Sequence, residues 1–150
     1  QILACQEDIV LIVDNTIQYH APESNKVQDF VISKNKHQST RRKINFDCEN
    51  IISKIGSNLK PETATHEFIG LAKFSKNGAE QLLQTYEDCV KNYSGNLQEA
   101  ANINQFKFTD LIQEMIDRGY VANFLEIHKG WLEIHSSEDI KLANHFLSNS

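Results

Sequence analysis

Six residues near the start of the chain, Ile9-Val10-Leu11-Ile12-Val13-Asp14, restrict the fold more than any other stretch. The aliphatic run has no polar face to turn to water. As a strand it must be covered on both sides, as strands are inside the parallel sheets of α/β proteins. It is far too short for a bilayer, which takes about 20 apolar residues. It also delivers a carboxylate, Asp14, to its own carboxyl end, where α/β proteins commonly place their chemistry.

The remainder predicts strands and helices in alternation. Val27 to Ser33 reads as a strand. Lys43 to Asp47 and Asn50 to Ile55 read as short strands, closed by Gly56-Ser57-Asn58. His66 to Ser75 is the next strand, with Gly70 mid-run where a backbone or ligand comes close. From Lys76 to Tyr93 the residues Ala79, Leu82, Leu83, Tyr86, Val90 and Tyr93 keep helical spacing, and Ser94-Gly95-Asn96 stops the helix. Leu97 to Gln105 fits either a short helix or a loop. Phe108-Thr109-Asp110 opens a second helix that ends at Gly119. The stripes Leu82, Leu83, Tyr86 and Leu111, Ile112, Met115 read as core. Tyr120 to Ile127 is a strand. Trp131-Leu132-Glu133-Ile134-His135 alternates like a last strand, feeding a helix from Ser137 to Leu147. The predicted class is α/β, a mixed sheet with flanking helices, in one domain or part of one.

Composition excludes several classes. A net charge of −5 over 150 residues opposes a nucleic-acid partner held by phosphate contacts. No signal segment opens the chain and no apolar stretch spans a membrane. Cys5, Cys48 and Cys89 are odd in number, widely spaced and free of any CxxC pair. That spacing argues against zinc and against a disulfide framework, and for a reducing cytoplasm. The basic stretch with Lys34, Lys36, Arg41, Arg42 and Lys43 reads as a solvated loop.

Four stretches in order resemble the nucleotidyltransferase family of phosphocholine cytidylyltransferases and of the domain associated with phosphoenolpyruvate mutase. These are Glu7 to Asp14, His66 to Ser75, Phe108 to Gly119, and the Trp131 to Asp139 close. The resemblance implies a GT-A/Rossmann-like fold. It implies cytidylyl transfer from CTP to a small phosphonate or phosphocholine-type substrate, with Mg²⁺ as cofactor. Asp14 matches the first metal-binding aspartate. Where the family's close carries the second, this chain has His135, and an imidazole suits Mn²⁺ better than Mg²⁺. Lys73, beside Gly70, is the candidate for a phosphate group, and Trp131 for the wall of a substrate pocket. The family's glycine-rich triphosphate loop has no counterpart, since no Gly-x-Gly occurs in the chain. The resemblance therefore implies the C-terminal part of the domain, inactive alone and paired with a second copy or with an N-terminal half. Two rivals stand beside it: a partner-binding domain that keeps the fold without turnover, and a metal-dependent hydrolase using His128, Glu133 and His135.

Overall fold

A computed structural model describes residues 2–16, 29–33, 50–132, 134 and 137–148. The strands are β1 (Ile9–Asp14), β2 (Phe30–Ser33), β3 (Ile52–Gly56), β4 (His66–Phe74) and β5 (Asn123–Ile127). The helices are α1 (Lys76–Asn92), α2 (Phe108–Asp117) and α3 (Ser137–Ser148). The strands form one open sheet in the order β3-β2-β4-β1-β5. β1 is antiparallel to β4 and parallel to β5, so the sheet is mixed and the class is α/β. The predicted strand over residues 43–47, the basic loop, and the first residues of the strand predicted from Val27 lie outside the described residues.

All six β1 residues are buried, as the aliphatic run requires. Ile9, Leu11 and Val13 face a core of Val31, Ile52, Ile55, Ile112, Met115 and Phe124. Val10 packs on the other side with Cys5, Ile2 and Leu125. Both edges of β1 are paired, to β4 and to β5.

Other expectations also change. On α1 the buried residues are Gly78, Thr85 and Cys89. Leu82 packs on the core, whereas Leu83 and Tyr86 are 57% and 47% exposed. The helix turns a less apolar face inward because Gly78 lets it lie against the Asp8 carbonyl, where a Cβ would collide. The α2 stripe of Leu111, Ile112 and Met115 is core. Gly70 admits no close neighbour. It lies in a bulge where Ile69, Gly70 and Leu71 oppose Ile12 alone, and its φ of 80° is why glycine stands there.

The described residues of the Trp131 stretch form no strand. Lys129 and Gly130, with φ of 59° and 86°, turn the chain away after β5, and Leu132 and Ile134 are exposed. Cys5 is disulfide-bonded, against the reading from cysteine spacing, while Cys89 is free and buried. Separation along the chain says nothing about proximity once a sheet brings distant segments together. No helix among the described residues is long and apolar enough to cross a membrane.

Candidate functional site

The carboxyl end of β1 gathers the polar groups. Asp14 is fully buried. Its Oδ1 accepts from the Thr16 amide at 2.8 Å, the Thr16 hydroxyl at 2.7 Å and the Lys129 amide at 3.3 Å. Its Oδ2 accepts from the Trp131 indole N–H at 2.6 Å. Burial alone would push the Asp14 pKa up; the hydrogen bonds from Thr16, Trp131 and Lys129 together outweigh it and hold the value below 3.8. Asp14 is therefore an ionised carboxylate at neutral pH in a site closed to water. Two of the sequence candidates, Asp14 and Trp131, thus meet directly.

Directly across the β1–β4 ladder from Asp14 stands Glu67, also buried. Residues opposite each other on an antiparallel pair share a face, so this rung carries two carboxylates side by side. The sequence could not reveal Glu67, because its partner depends on the register around the Gly70 bulge.

A second set of side chains crosses the same end of the sheet. His66 lies with Nδ1 2.8 Å from Thr65 Oγ1 and Nε2 2.8 Å from Glu126 Oε2. Asn15 donates from Nδ2 to Glu126 Oε1 at 2.8 Å, and its Oδ1 lies 2.8 Å from His128 Nδ1. The Glu126 pKa is lowered, first by the His66 hydrogen bond, against the opposing effect of burial. An ionised Glu126 only accepts, so His66 Nε2 carries the proton between them. Strand alternation puts Val13 and Glu126 on the face opposite Asp14. Sequence reading missed this chain of contacts, which joins residues from three separate segments.

Lys73 sits elsewhere. It pairs with Val10, and its ammonium donates to the carbonyls of Cys5 at 2.5 Å and Glu7 at 3.3 Å. Those bonds tie the N-terminal segment to β4, about 13 Å along the strand from Asp14 at about 3.3 Å per residue. His135 and Glu133 lie outside the described residues. Of the three side chains of the hydrolase alternative, only His128 is therefore described.

Mg²⁺ takes hard oxygens, typically one or two carboxylates, with phosphate and water oxygens completing the shell. Asp14 and Glu67 are oxygen donors of that kind, but Asp14 is fully buried and already accepts four hydrogen bonds. Among the described residues no group of three or more His, Cys, Asp or Glu side chains gathers for a metal. The fold and the site together define an α/β protein with a mixed five-stranded sheet and an ionised, buried carboxylate at the end of an interior strand. In comparison with known proteins, the chain matches no protein-family model and no curated sequence.

Proposed function

We propose that the chain is the acceptor-side part of a GT-A-like, metal-dependent nucleotidyltransferase, moving a cytidylyl group from CTP to a phosphonate or phosphocholine-type substrate. The observation that carries the reading is the Asp14–Trp131 hydrogen bond. It joins the end of the interior strand β1 to the segment that resembles the family's close. In this chemistry a phosphonate or phosphate oxygen attacks the α-phosphorus of the nucleotide and pyrophosphate departs. Bound Mg²⁺ or Mn²⁺ would neutralise the phosphates. Asp14 would hold the cation, with Glu67 across the rung and His135 as the further candidate ligand. The burial of Asp14 keeps competing water away from its oxygens.

Turnover on this reading needs the glycine-rich triphosphate loop, supplied by an N-terminal half or a partner chain. The test is pyrophosphate release with CTP, Mg²⁺ or Mn²⁺, and either 2-aminoethylphosphonate or phosphocholine. It is run on the 150-residue chain alone and with a nucleotide-binding front half from a family member. Turnover only with the front half, lost in Asp14→Asn, supports the reading. No Mn²⁺ or CTP binding under either condition removes it.

A second reading is favoured by the same carboxylate. Four donors from the chain already engage Asp14. Such a carboxylate can serve as a structural anchor, which would suit a non-catalytic domain with a partner protein. The cytoplasmic setting read from the cysteines stands against the Cys5 disulfide, a bond at home in oxidising compartments.

A further inference from the structure

Asn92-Tyr93-Ser94 is the one complete Asn-x-Ser/Thr triplet in the sequence, and its middle residue is not proline. Such a triplet is an acceptor for N-linked oligosaccharide when it lies on the surface of a secreted protein. The spacing has a chemical basis. It supplies an amide nitrogen to carry the sugar and, two residues on, a hydroxyl that the transferase recognises. The triplet also arises by chance, so its place in the fold decides whether it can be used.

The fold puts it at the open end of a helix. Asn92 is the last residue of α1, and Tyr93 leaves the helix in an extended conformation, with φ −92° and ψ 125°. Every residue from Lys91 to Asn96 is exposed, and the chain is buried again at Leu97. Tyr93 donates its hydroxyl to Glu114 Oε1 at 2.9 Å, which ties the helix end to α2 while Asn92 faces solvent. The Asn92 amide donates from Nδ2 to Asp88 Oδ1 at 3.4 Å, a long bond to an exposed partner one turn back. That nitrogen carries two protons. One is enough for Asp88, so a sugar on the nitrogen leaves the bond in place.

A second observation is independent of the triplet. Cys5 is in a disulfide. Disulfides form and persist in oxidising compartments, among them the endoplasmic reticulum lumen, where asparagine is glycosylated.

We propose that Asn92 is a modification site, the acceptor of an N-linked oligosaccharide. The donor is a polyprenyl-diphosphate-linked oligosaccharide, and a membrane-bound transferase of the cell carries out the step. The Asn92 nitrogen bonds to the anomeric carbon of the first sugar, and the bond from that carbon to the diphosphate oxygen breaks. The diphosphate leaves with the electron pair, and the amide gives up one proton. The proposal does not rest on the nucleotidyltransferase reading. It sits with the second one, a non-catalytic domain in an oxidising setting.

The test begins with protein purified from the cells that make it. An amidase releases N-linked glycans in heavy-oxygen water, which turns a glycosylated asparagine into labelled aspartate, and mass spectrometry reads the Asn92 peptide. Most of that peptide should carry the label. Recombinant chain sent through the secretory compartment of a eukaryotic host supplies the variants. Wild type should show one glycosidase-sensitive step in gel mobility, lost in Asn92→Gln and Ser94→Ala and kept in Ser94→Thr. Ser94→Ala leaves Asn92 and its Asp88 bond untouched, so its effect reads the triplet rather than the folding of α1. A bare Asn92 peptide in the native protein overturns the proposal, whatever the pyrophosphate assay gives. A mobility step that survives Ser94→Ala places the sugar elsewhere and overturns it as well.

Discussion

Asp14 and Glu67 face each other across one rung of the sheet, and both are buried. Two like charges directly opposite on a ladder are unfavourable. A cation held on this rung would take an oxygen from each carboxylate. Glu67→Gln is expected to weaken Mn²⁺ binding by about tenfold, the lower end for loss of a supporting carboxylate. Titration of the variant beside wild type checks this. An unchanged affinity would remove Glu67 from the cation site and leave Asp14 to act alone.

The cysteines give a prediction independent of function. The chain has three, Cys5 is in a disulfide, and Cys89 is free. A bond uses two of the three, so one thiol remains. Burial pushes the Cys89 pKa up, and the Glu114 carboxylate adds to the effect, so its thiol is poorly reactive in the folded state. Colorimetric titration with a thiol reagent should find almost no thiol in native protein, one in guanidinium and three after reduction. Three in guanidinium without reductant would rule out the disulfide.

The docking of α1 is tested at Gly78. Ser75 caps the helix by accepting from the Gly78 amide at 3.0 Å, and its hydroxyl donates to the Asp8 carboxylate. Asn77 adds a bond to the other Asp8 oxygen at 2.6 Å. A methyl group at position 78 would meet the Asp8 backbone rather than a flexible side-chain end. Although alanine favours helices, Gly78→Ala should destabilise by about 1–3 kcal/mol through overpacking. Urea unfolding reads the change. A gain in stability would mean that the helix end moves freely away from β1.

Much of this architecture is legible in the residues themselves, and the reason is periodicity. β1 had to be buried because it has no polar face, and the apolar stripe of α2 leaves a single choice of inner side. α1 misleads because its most apolar stripe, through Leu83 and Tyr86, stays exposed. Its inward face is chosen by the close approach at Gly78, which spacing does not encode. Asp14 could be found as a strand-ending acid. Its contact with Trp131 could not, since the two are 117 residues apart and meet only through a left-handed turn. The chain from His66 through Glu126 and Asn15 to His128 was invisible for the same reason. The Trp131 stretch alternates like a strand, but alternation describes a strand only where a neighbour is present to pair with it.

The cluster beneath α1 and α2 provides a pH-dependent case. Glu114 is buried and accepts from Arg118 Nε at 2.8 Å, Tyr93 at 2.9 Å and Gln98 at 2.8 Å. Burial raises its pKa, and the bonds from Arg118, Gln98 and Tyr93 lower it by more. Removing the guanidinium leaves a buried carboxylate short of its main partner. Arg118→Met should cost about 2–4 kcal/mol at pH 7, toward the lower end for a broken buried pair because Tyr93 and Gln98 remain. At pH 4 the loss should shrink, because the variant's Glu114 can take up a proton where the wild type's resists it. Equal losses at both pH values would show that the pair is electrostatically silent.

Asp14 itself sets the last expectation, which tests the ionised state on which the site depends. Its folded pKa lies below the ordinary 3.8, because four hydrogen bonds outweigh the opposing effect of burial. For a depressed carboxylate the unfolded chain binds the proton first as the pH falls. The stabilisation is therefore fully present above the ordinary aspartate range and is lost as the pH drops through the lower folded value. Asp14→Asn cannot reproduce it, since the amide must turn an N–H₂ toward either the indole N–H or the Thr16 donors. Two donors facing each other in a buried place should cost about 1–3 kcal/mol at pH 7. The difference between variant and wild type should narrow as the pH falls below the ordinary aspartate value, where the wild type loses the same contribution. Denaturant unfolding at pH 7 and pH 3 measures both. A variant as stable as wild type at pH 7 would mean that Asp14 is not held as an anion, and the cation site built on it would fall as well.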